Sequence, residues 1–569
     1  MGYGMNIFDY IEDGAVQGEQ ARWSARSPFR PRDDFDLMLV PRVPDWRQDE
    51  ASRQALERIG AEPWVEAVAS DGDEVLLRLD SGWVEETGAR LEAGEGVEGA
   101  HADLAADRRY AVYFWGANTT KALHIGHLRN LAVGHALGAA LEQAGARVER
   151  RSLICDVGRS MGEAMAGVVQ SGRDQQVWPD GEEKSDHFVG ACYADYVTAG
   201  RAAGVAGGRD ADDGAEDSVA RESSMYNDKA DELMMRVLAG NQEALELWSK
   251  TRAWVISGQR KTLSRLGIAF DKVIFESDFL PEVLELSNQG LADGTLTKRY
   301  GDDMVMYESE REELEEMPLV RADGLPTQHM RALAYWSAAP ELDDFISLQV
   351  CGNEWVSHVT CRRQLIDALG VENGNGNGSA KGGGPPTYDI FHGMVARDRT
   401  SITSSKEGAL LIDDLASWLE EQIETDAERA EVRRGHPEAE RLPARIALAY
   451  FLLQPTSKRV DFEPEKLLRE GKGSLGWDLA RAQAHPGTAP LAAERAAEDA
   501  DYRFAVVQSE LYRRHLRSSV EGLDVVPLAR YVSHFARWYR EDERSPAVER
   551  VVRTVLDQGV RGLGLEGAG

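Results

Sequence analysis

Residues 110–156 read YAVYFWGANTTKALHIGHLRNLAVGHALGAALEQAGARVERRSLICD, and nothing else in the chain narrows its fold as much. The run 110–115 is rich in aromatic and β-branched residues and predicts a buried strand. A polar turn over 116–121 leads into His124-Ile125-Gly126-His127. Leu128, Leu131, Ala132, Leu137 and Leu141 then recur at helical spacing until Gly145 stops the helix. A second strand over 148–154 ends at Asp156. Strand, turn, helix and strand open a nucleotide-binding α/β unit, in which phosphates sit near the helix N-terminus. His124 and His127 stand three apart at the helix start and share a face. Such a pair can donate hydrogen bonds to the α-phosphate of ATP as negative charge builds there during adenylyl transfer. Gly126 leaves room for the adenine against the backbone. Taken alone, the four residues fit two ordinary helix-start histidines equally well.

The flanks are more specific. Asn118, Lys121, His124, Gly126, His127, Leu128 and Arg129 follow the pattern N-x-x-K-x-x-H-x-G-H-L-R. Further along come Asp156-x-Gly158, Phe270-Asp271 with Glu276-Ser277, Val320-Arg321-Ala322-Asp323-Gly324 with Arg331, and Gly393-Met394-Val395. In that order, these segments resemble the signatures of class I aminoacyl-tRNA synthetases of the arginyl-tRNA synthetase family, over roughly residues 30–569. The resemblance implies an α/β fold: a Rossmann-like (HUP-type) parallel-sheet catalytic domain with insertions, a small N-terminal α/β module and a C-terminal all-α bundle. It implies ATP as co-substrate, Mg2+ as the companion of its phosphates, an amino acid as substrate and tRNA as acceptor.

The implied domains are 1–108, 109–440 and 441–569. The first resembles a shortened tRNA-elbow domain and serves equally well as plain packing. In the second, the acidic, Gly- and Ala-rich stretch over about 171–222 reads as a solvated surface insertion, and helical patterning returns over 223–266. Strand-like pieces near 270–276, 302–307 and 345–351 alternate with helices near 281–292 and 356–369, as an interrupted parallel sheet requires. Residues 372–386 (ENGNGNGSAKGGGPP) read as a flexible loop. The sheet resumes over 388–395, and from about 442 onward the pattern is helical, like a shortened anticodon-binding bundle.

A formal net charge of -32 sits badly with a polyanionic partner, since nucleic-acid affinity rests on Lys and Arg. The charge is uneven, however. Residues 441–569 hold 20 Lys and Arg against 18 Asp and Glu, so the whole acidic excess lies earlier, and a local basic face remains open for the C-terminal part. Cys155, Cys192, Cys351 and Cys361 show no paired or zinc-type spacing, and no apolar run is long enough to span a membrane. A cytoplasmic protein without a membrane partner is expected; oligomeric state is not legible, and no metal-ligand cluster is visible.

Adenylation needs charge neutralisation and alignment rather than a protein nucleophile. His124 and His127 are the first candidates. Lys121 is the next, because in the family a lysine just ahead of the histidines often supplies charge that the second ATP signature lacks. That second signature is degenerate here: Ser404-Ser405-Lys406 stands where a Lys-Met-Ser-Lys-Ser-type loop is implied, leaving Lys406 for the pyrophosphate oxygens, with Met394 and Val395 beside the nucleotide. Asn118, Asp156 and His358 match positions that in the family surround the backbone part or the scaffold of the amino-acid pocket. The positions implied to meet the arginine guanidinium instead hold Tyr113, Gln328, Ala332 and Trp355. A guanidinium buried without its carboxylate is costly, so a specialised paralogue activating another amino acid is expected. Two alternatives stay open: a catalytically weak, tRNA- or partner-binding regulator, and a genuine arginine–tRNA ligase.

Overall fold

The computed structural model describes residues 6–566, apart from 13–21, 29, 44, 94–100, 175–182, 203–228, 300–303, 308–316, 339–343, 370–385, 398–399, 402–409, 470–473, 485–496 and 541–543. At its centre is a five-stranded sheet of Thr387–His392, Ile346–Gly352, Arg109–Trp115, Arg147–Ile154 and Lys272–Phe275, in that spatial order and all parallel. The first strand in sequence, Arg109–Trp115, is therefore central. Later strands add to one side and then to the other, so the order reverses between Arg109–Trp115 and Ile346–Gly352. In open parallel sheets, ligands bind at such a reversal, beyond the carboxyl ends of the strands.

The strand Arg109–Trp115 is buried along almost its whole length because helices cover both faces. One of them, Ile125–Gln143, crosses to the next strand and buries Leu128, Leu131, Leu137 and Leu141. Fully burying a leucine contributes roughly 1.5–3 kcal/mol. A β-carbon on Gly134 would lie 2.2 Å from the Phe114 β-carbon, so a glycine in mid-helix is what lets helix and strand meet.

Three expectations need correction. Residues 185–202 do not form a solvated insertion. They make a helix, Ser185–Ala202, that buries Phe188, Val189, Cys192 and Tyr193 against Arg159–Gln170 and Gln242–Leu266. Within the expected strand 302–307, the described part does not join the parallel sheet, for Val305–Tyr307 pairs antiparallel with Thr297–Lys298 and Met317–Val320 in a sheet of its own. The last parallel strand ends at His392, and Val395–Arg397 starts a small separate sheet with Thr400–Ser401 and Val460–Asp461. The loop over 372–385 lies outside the described residues.

The N-terminal section is a four-stranded antiparallel sheet with the helices Glu50–Gly60 and Ser81–Glu92. The C-terminal section is helical, including Leu442–Leu452, Ala500–Gly522, Val526–Arg540 and Pro546–Gly562. These two ends of the chain are fastened together. Arg503, fully buried, donates to the Asp36 carboxylate at 2.8 and 2.6 Å and to the Ala497 carbonyl at 2.9 Å. One hydrophobic core runs from Phe8, Leu37 and Leu77 through Val112, Leu128 and Leu137 to Phe451, Tyr512 and Val552. Among the described residues, no helix is long and apolar enough to cross a membrane.

Candidate active site

The turn after Arg109–Trp115 delivers His124 as the N-cap of Ile125–Gln143. The Gly126 amide donates to His124 Nδ1 at 3.1 Å, and the His124 amide donates to His127 Nδ1 at 3.1 Å. The rings stack with centroids 3.9 Å apart. Because both Nδ1 atoms accept backbone N–H groups, the neutral rings carry their hydrogens on Nε2. The helix start thus offers two imidazole donors together with its own positive dipole end.

Both histidines border a cavity of about 220 Å³ at the strand-order reversal. Tyr113, Gly126, Gln328, Ala332, Trp355, His358, Met394 and Val395 border it too, so ten of the residues singled out from the sequence come together. Asn118, Lys121 and Asp156 do not line it. Asp156 is fully buried as a scaffold, its carboxylate accepting from the Ser277 amide at 3.0 Å, the Ser277 hydroxyl at 2.7 Å and Arg252 at 2.8 Å. Asn118 bridges to Cys155 and faces a smaller neighbouring cavity with Gly158 and Arg331. Lys121 is buried, its carbonyl accepting from Gln259 at 2.8 Å. Ser404, Ser405 and Lys406 lie outside the described residues. Their downstream flank is tied to the signature turn, with the Ile125 amide bonded to the Leu410 carbonyl and the Ile412 amide to the Leu123 carbonyl.

Four further side chains shape the site without having stood out in the sequence reading as parts of it. Arg129, fully buried, donates to the carbonyls of Gly393 (2.5 Å), Lys458 (2.8 Å), Pro455 (2.9 Å) and Thr456 (3.1 Å), fastening the helix to the segment that carries Met394 and Val395. Burial pulls its pKa down to about 10. Trp336 stands one turn beyond Ala332 and two beyond Gln328 on the helix Gln328–Ala338, so the three form one stripe along the cavity. Arg362, from the helix Val356–Ala368, and Gln349, from the strand Ile346–Gly352, complete that wall. The Arg129 match in the signature pattern was the one available signal; the other three carry none.

The floor is closed by phenols. The Tyr113 hydroxyl accepts from buried Arg151 at 3.0 Å and pairs with the Tyr335 hydroxyl at 2.7 Å. Two acids border the cavity. Glu276 is buried and accepts from Arg331 Nε at 2.7 Å, and burial raises its pKa. Glu354 borders it from the turn after Ile346–Gly352 and folds back over Gly352. No group of three or more His, Cys, Asp or Glu side chains able to hold a metal ion occurs among the described residues.

Comparison with known proteins agrees with this geometry. The family model described as tRNA synthetases class I (R), catalytic domain, matches residues 97–310. The arginine–tRNA ligase of Amoebophilus asiaticus (strain 5a2) is 30% identical over 375 residues, covering 63% of this chain and 59% of that protein. That of Borrelia hermsii is 26% identical over 327 residues, covering 56% and 50%. The matched region thus spans between half and three fifths of these relatives. Among solved structures, the arginyl-tRNA synthetases of Thermus thermophilus and Plasmodium falciparum each superpose over the whole of both chains with a TM-score of 0.65, at 16% and 14% identity, a likeness of fold. Signature, sheet order and sequence kinship agree: residues 97–310 match the catalytic-domain model of class I (R) tRNA synthetases, and the chain is similar to arginyl-tRNA synthetases in sequence and in fold.

Proposed function

We propose that this chain activates an amino acid other than arginine as its aminoacyl adenylate and passes the acyl group to the 3′ end of a tRNA, in the cytoplasm. The observation that carries the reading is the cavity wall. Where the family resemblance implies an acid for the guanidinium stands Tyr113, whose hydroxyl already receives Arg151, and a buried arginine, Arg362, lines the same space. A substrate guanidinium about 5 Å from Arg362 would meet a repulsion of roughly 3 kcal/mol at an effective dielectric of about 20, before Asp389 offsets part of it.

In the first step a carboxylate oxygen of the amino acid attacks the α-phosphorus of ATP. The new C–O–P link forms as the bond to the bridging oxygen breaks, and pyrophosphate leaves with that electron pair. The Nε2–H groups of His124 and His127 are placed to donate to the α-phosphate oxygens as charge builds there. Met394 and Val395 would flank the nucleotide, held in place by Arg129. Lys121 and Lys406 are the candidates for charge on the leaving group. Mg2+ would arrive with the ATP phosphates rather than at a protein-built site. In the second step a ribose hydroxyl of the tRNA attacks the acyl carbon and AMP leaves.

Arginine is the second reading, favoured by Glu354 at the cavity rim and by the names of the relatives. Amino-acid-dependent ATP–pyrophosphate exchange, run over all standard and several non-standard amino acids with and without total tRNA, separates the two. Selective exchange with arginine overturns the proposal. Exchange with another amino acid supports it. No exchange in either condition shifts the assignment to a regulator.

A further inference from the structure

Resting on that reading, the cavity also bears on what the substrate side chain presents. Arg362 is only 8% exposed, yet among the described residues it makes one hydrogen bond, from Nη2 to Gln349 Oε1 at 2.6 Å. Its ion partner Asp389 is 4.0 Å away and is itself in contact with Arg363. Two guanidinium groups therefore share one carboxylate. Burial lowers the Arg362 pKa, as it must for a cation short of partners. The guanidinium lies over the Trp336 ring, 5.1 Å from its centroid, and that ring's Nε1 is a buried donor with no acceptor among the described residues. Unlike Trp336 Nε1, the remaining N–H groups of Arg362 are not sealed, and the side chain lines the cavity. Ala332, on the neighbouring helix Gln328–Ala338, borders the same cavity with no more than a methyl group.

We infer that the amino acid admitted here has a side chain ending in an acceptor oxygen, a carboxylate or a carboxamide, and that Arg362 receives it with Gln349 holding the guanidinium in place. Buried donors of this kind reward a ligand that satisfies them and reject one that leaves them unmade. A hydrocarbon side chain of the same length would fill the volume and leave Arg362 as it stands in the empty cavity. A lysine or arginine side chain would add a cation to the pair.

The test is exchange by the wild-type chain with aspartate, asparagine, glutamate and glutamine against leucine, methionine, lysine and arginine. The expected result is selective exchange with one of the first four, the carboxylate and carboxamide arms identifying which oxygen is read. Exchange confined to an apolar amino acid leaves the proposed activity standing and overturns this inference. Exchange with lysine likewise overturns only this inference, whereas exchange with arginine, or none at all, overturns both. The variant Arg362→Met is expected to lose about 10- to 100-fold in kcat/KM for the preferred amino acid, mostly through its KM, with the KM for ATP unchanged. Arg362→Lys should recover part of that loss. If Arg362→Met proves unfolded by circular dichroism, the wild-type selectivity panel alone decides.

Discussion

Replacing Arg129 by methionine removes a buried cation whose partners are all carbonyl oxygens, and the cost can be built from those partners. Four carbonyls receive it, but three keep another donor. The Gly393 oxygen lies 3.1 Å from His392 Nδ1, the Thr456 oxygen accepts the Gly393 amide at 2.8 Å, and the Pro455 oxygen accepts the Lys458 amide at 3.1 Å. The Lys458 carbonyl has no second partner among the described hydrogen bonds. One orphaned carbonyl costs about 1–3 kcal/mol. Loss of the charge-assisted bonds to the other three is partly repaid by no longer desolvating a guanidinium, a burial penalty already visible in the lowered pKa. The expected net loss is about 2–4 kcal/mol, measured from the urea midpoint and slope. Because the same bonds hold Met394 and Val395 against the cavity, the KM for ATP in pyrophosphate exchange should rise at least about tenfold, with the amino-acid KM little changed. Arg129→Lys should restore less than half of either effect, since an ammonium cannot span four diverging acceptors. A variant within about 1 kcal/mol of wild type and within twofold in ATP KM would refute the reasoning.

His124→Asn keeps a side-chain acceptor at the helix N-cap but loses the outward imidazole N–H, so exchange should fall about 10²- to 10³-fold with little change in the urea midpoint. Gly134→Ala gains about 1 kcal/mol of helix propensity but drives a β-carbon into Phe114, and a net destabilisation of roughly 1–3 kcal/mol should appear in the same unfolding assay. The hydrogen bond from His187 to Asp413, helped by the charge of Asp186, raises the His187 pKa against burial and Lys184. A raised folded pKa stabilises fully below the unfolded value of about 6.5 and fades as pH climbs through the folded one, so the midpoint difference between wild type and His187→Gln should be largest below that value and shrink as the pH rises above it. A difference that grows with pH would contradict that assignment.

The strand–turn–helix–strand unit was legible because its signals are local: a β-branched run, a capped helix start and a 3.6-residue stripe. Elsewhere composition masked periodicity. Around Phe188, Val189, Cys192 and Tyr193 the apolar residues follow helical spacing, but acidic and small residues dominate the surrounding window. Pairing direction was not legible for Val305–Tyr307, since a three-residue strand alternates identically in parallel and antiparallel sheets. At the site, the sequence reading set Asn118 and Asp156 around the backbone part or the scaffold of the pocket, and only the fold distinguishes Asn118, which faces the smaller neighbouring cavity, from Asp156, which is hydrogen-bonded into the scaffold. The sequence was silent for Trp336 and Arg362, more than two hundred residues from the histidines they join. An arginine on a helix with little amphipathic pattern reads as solvated, and only the fold reveals that Arg362 is enclosed.

The helix Ile125–Gln143 is a rod of 19 residues, about 28 Å long. One end is the pair of histidines. The other is gripped by the C-terminal helices, where the Tyr512 hydroxyl donates to the Gln143 side chain and Gln143 Nε2 donates to the Gln558 carbonyl at 3.2 Å. Arg503 clamps the N-terminal sheet onto the same bundle, so both termini of the polypeptide bear on the far end of that rod. It is in effect a lever, with Arg129 near its fulcrum. A shift of the C-terminal helices against the sheet would be carried along that one rigid rod to the histidine pair at its other end.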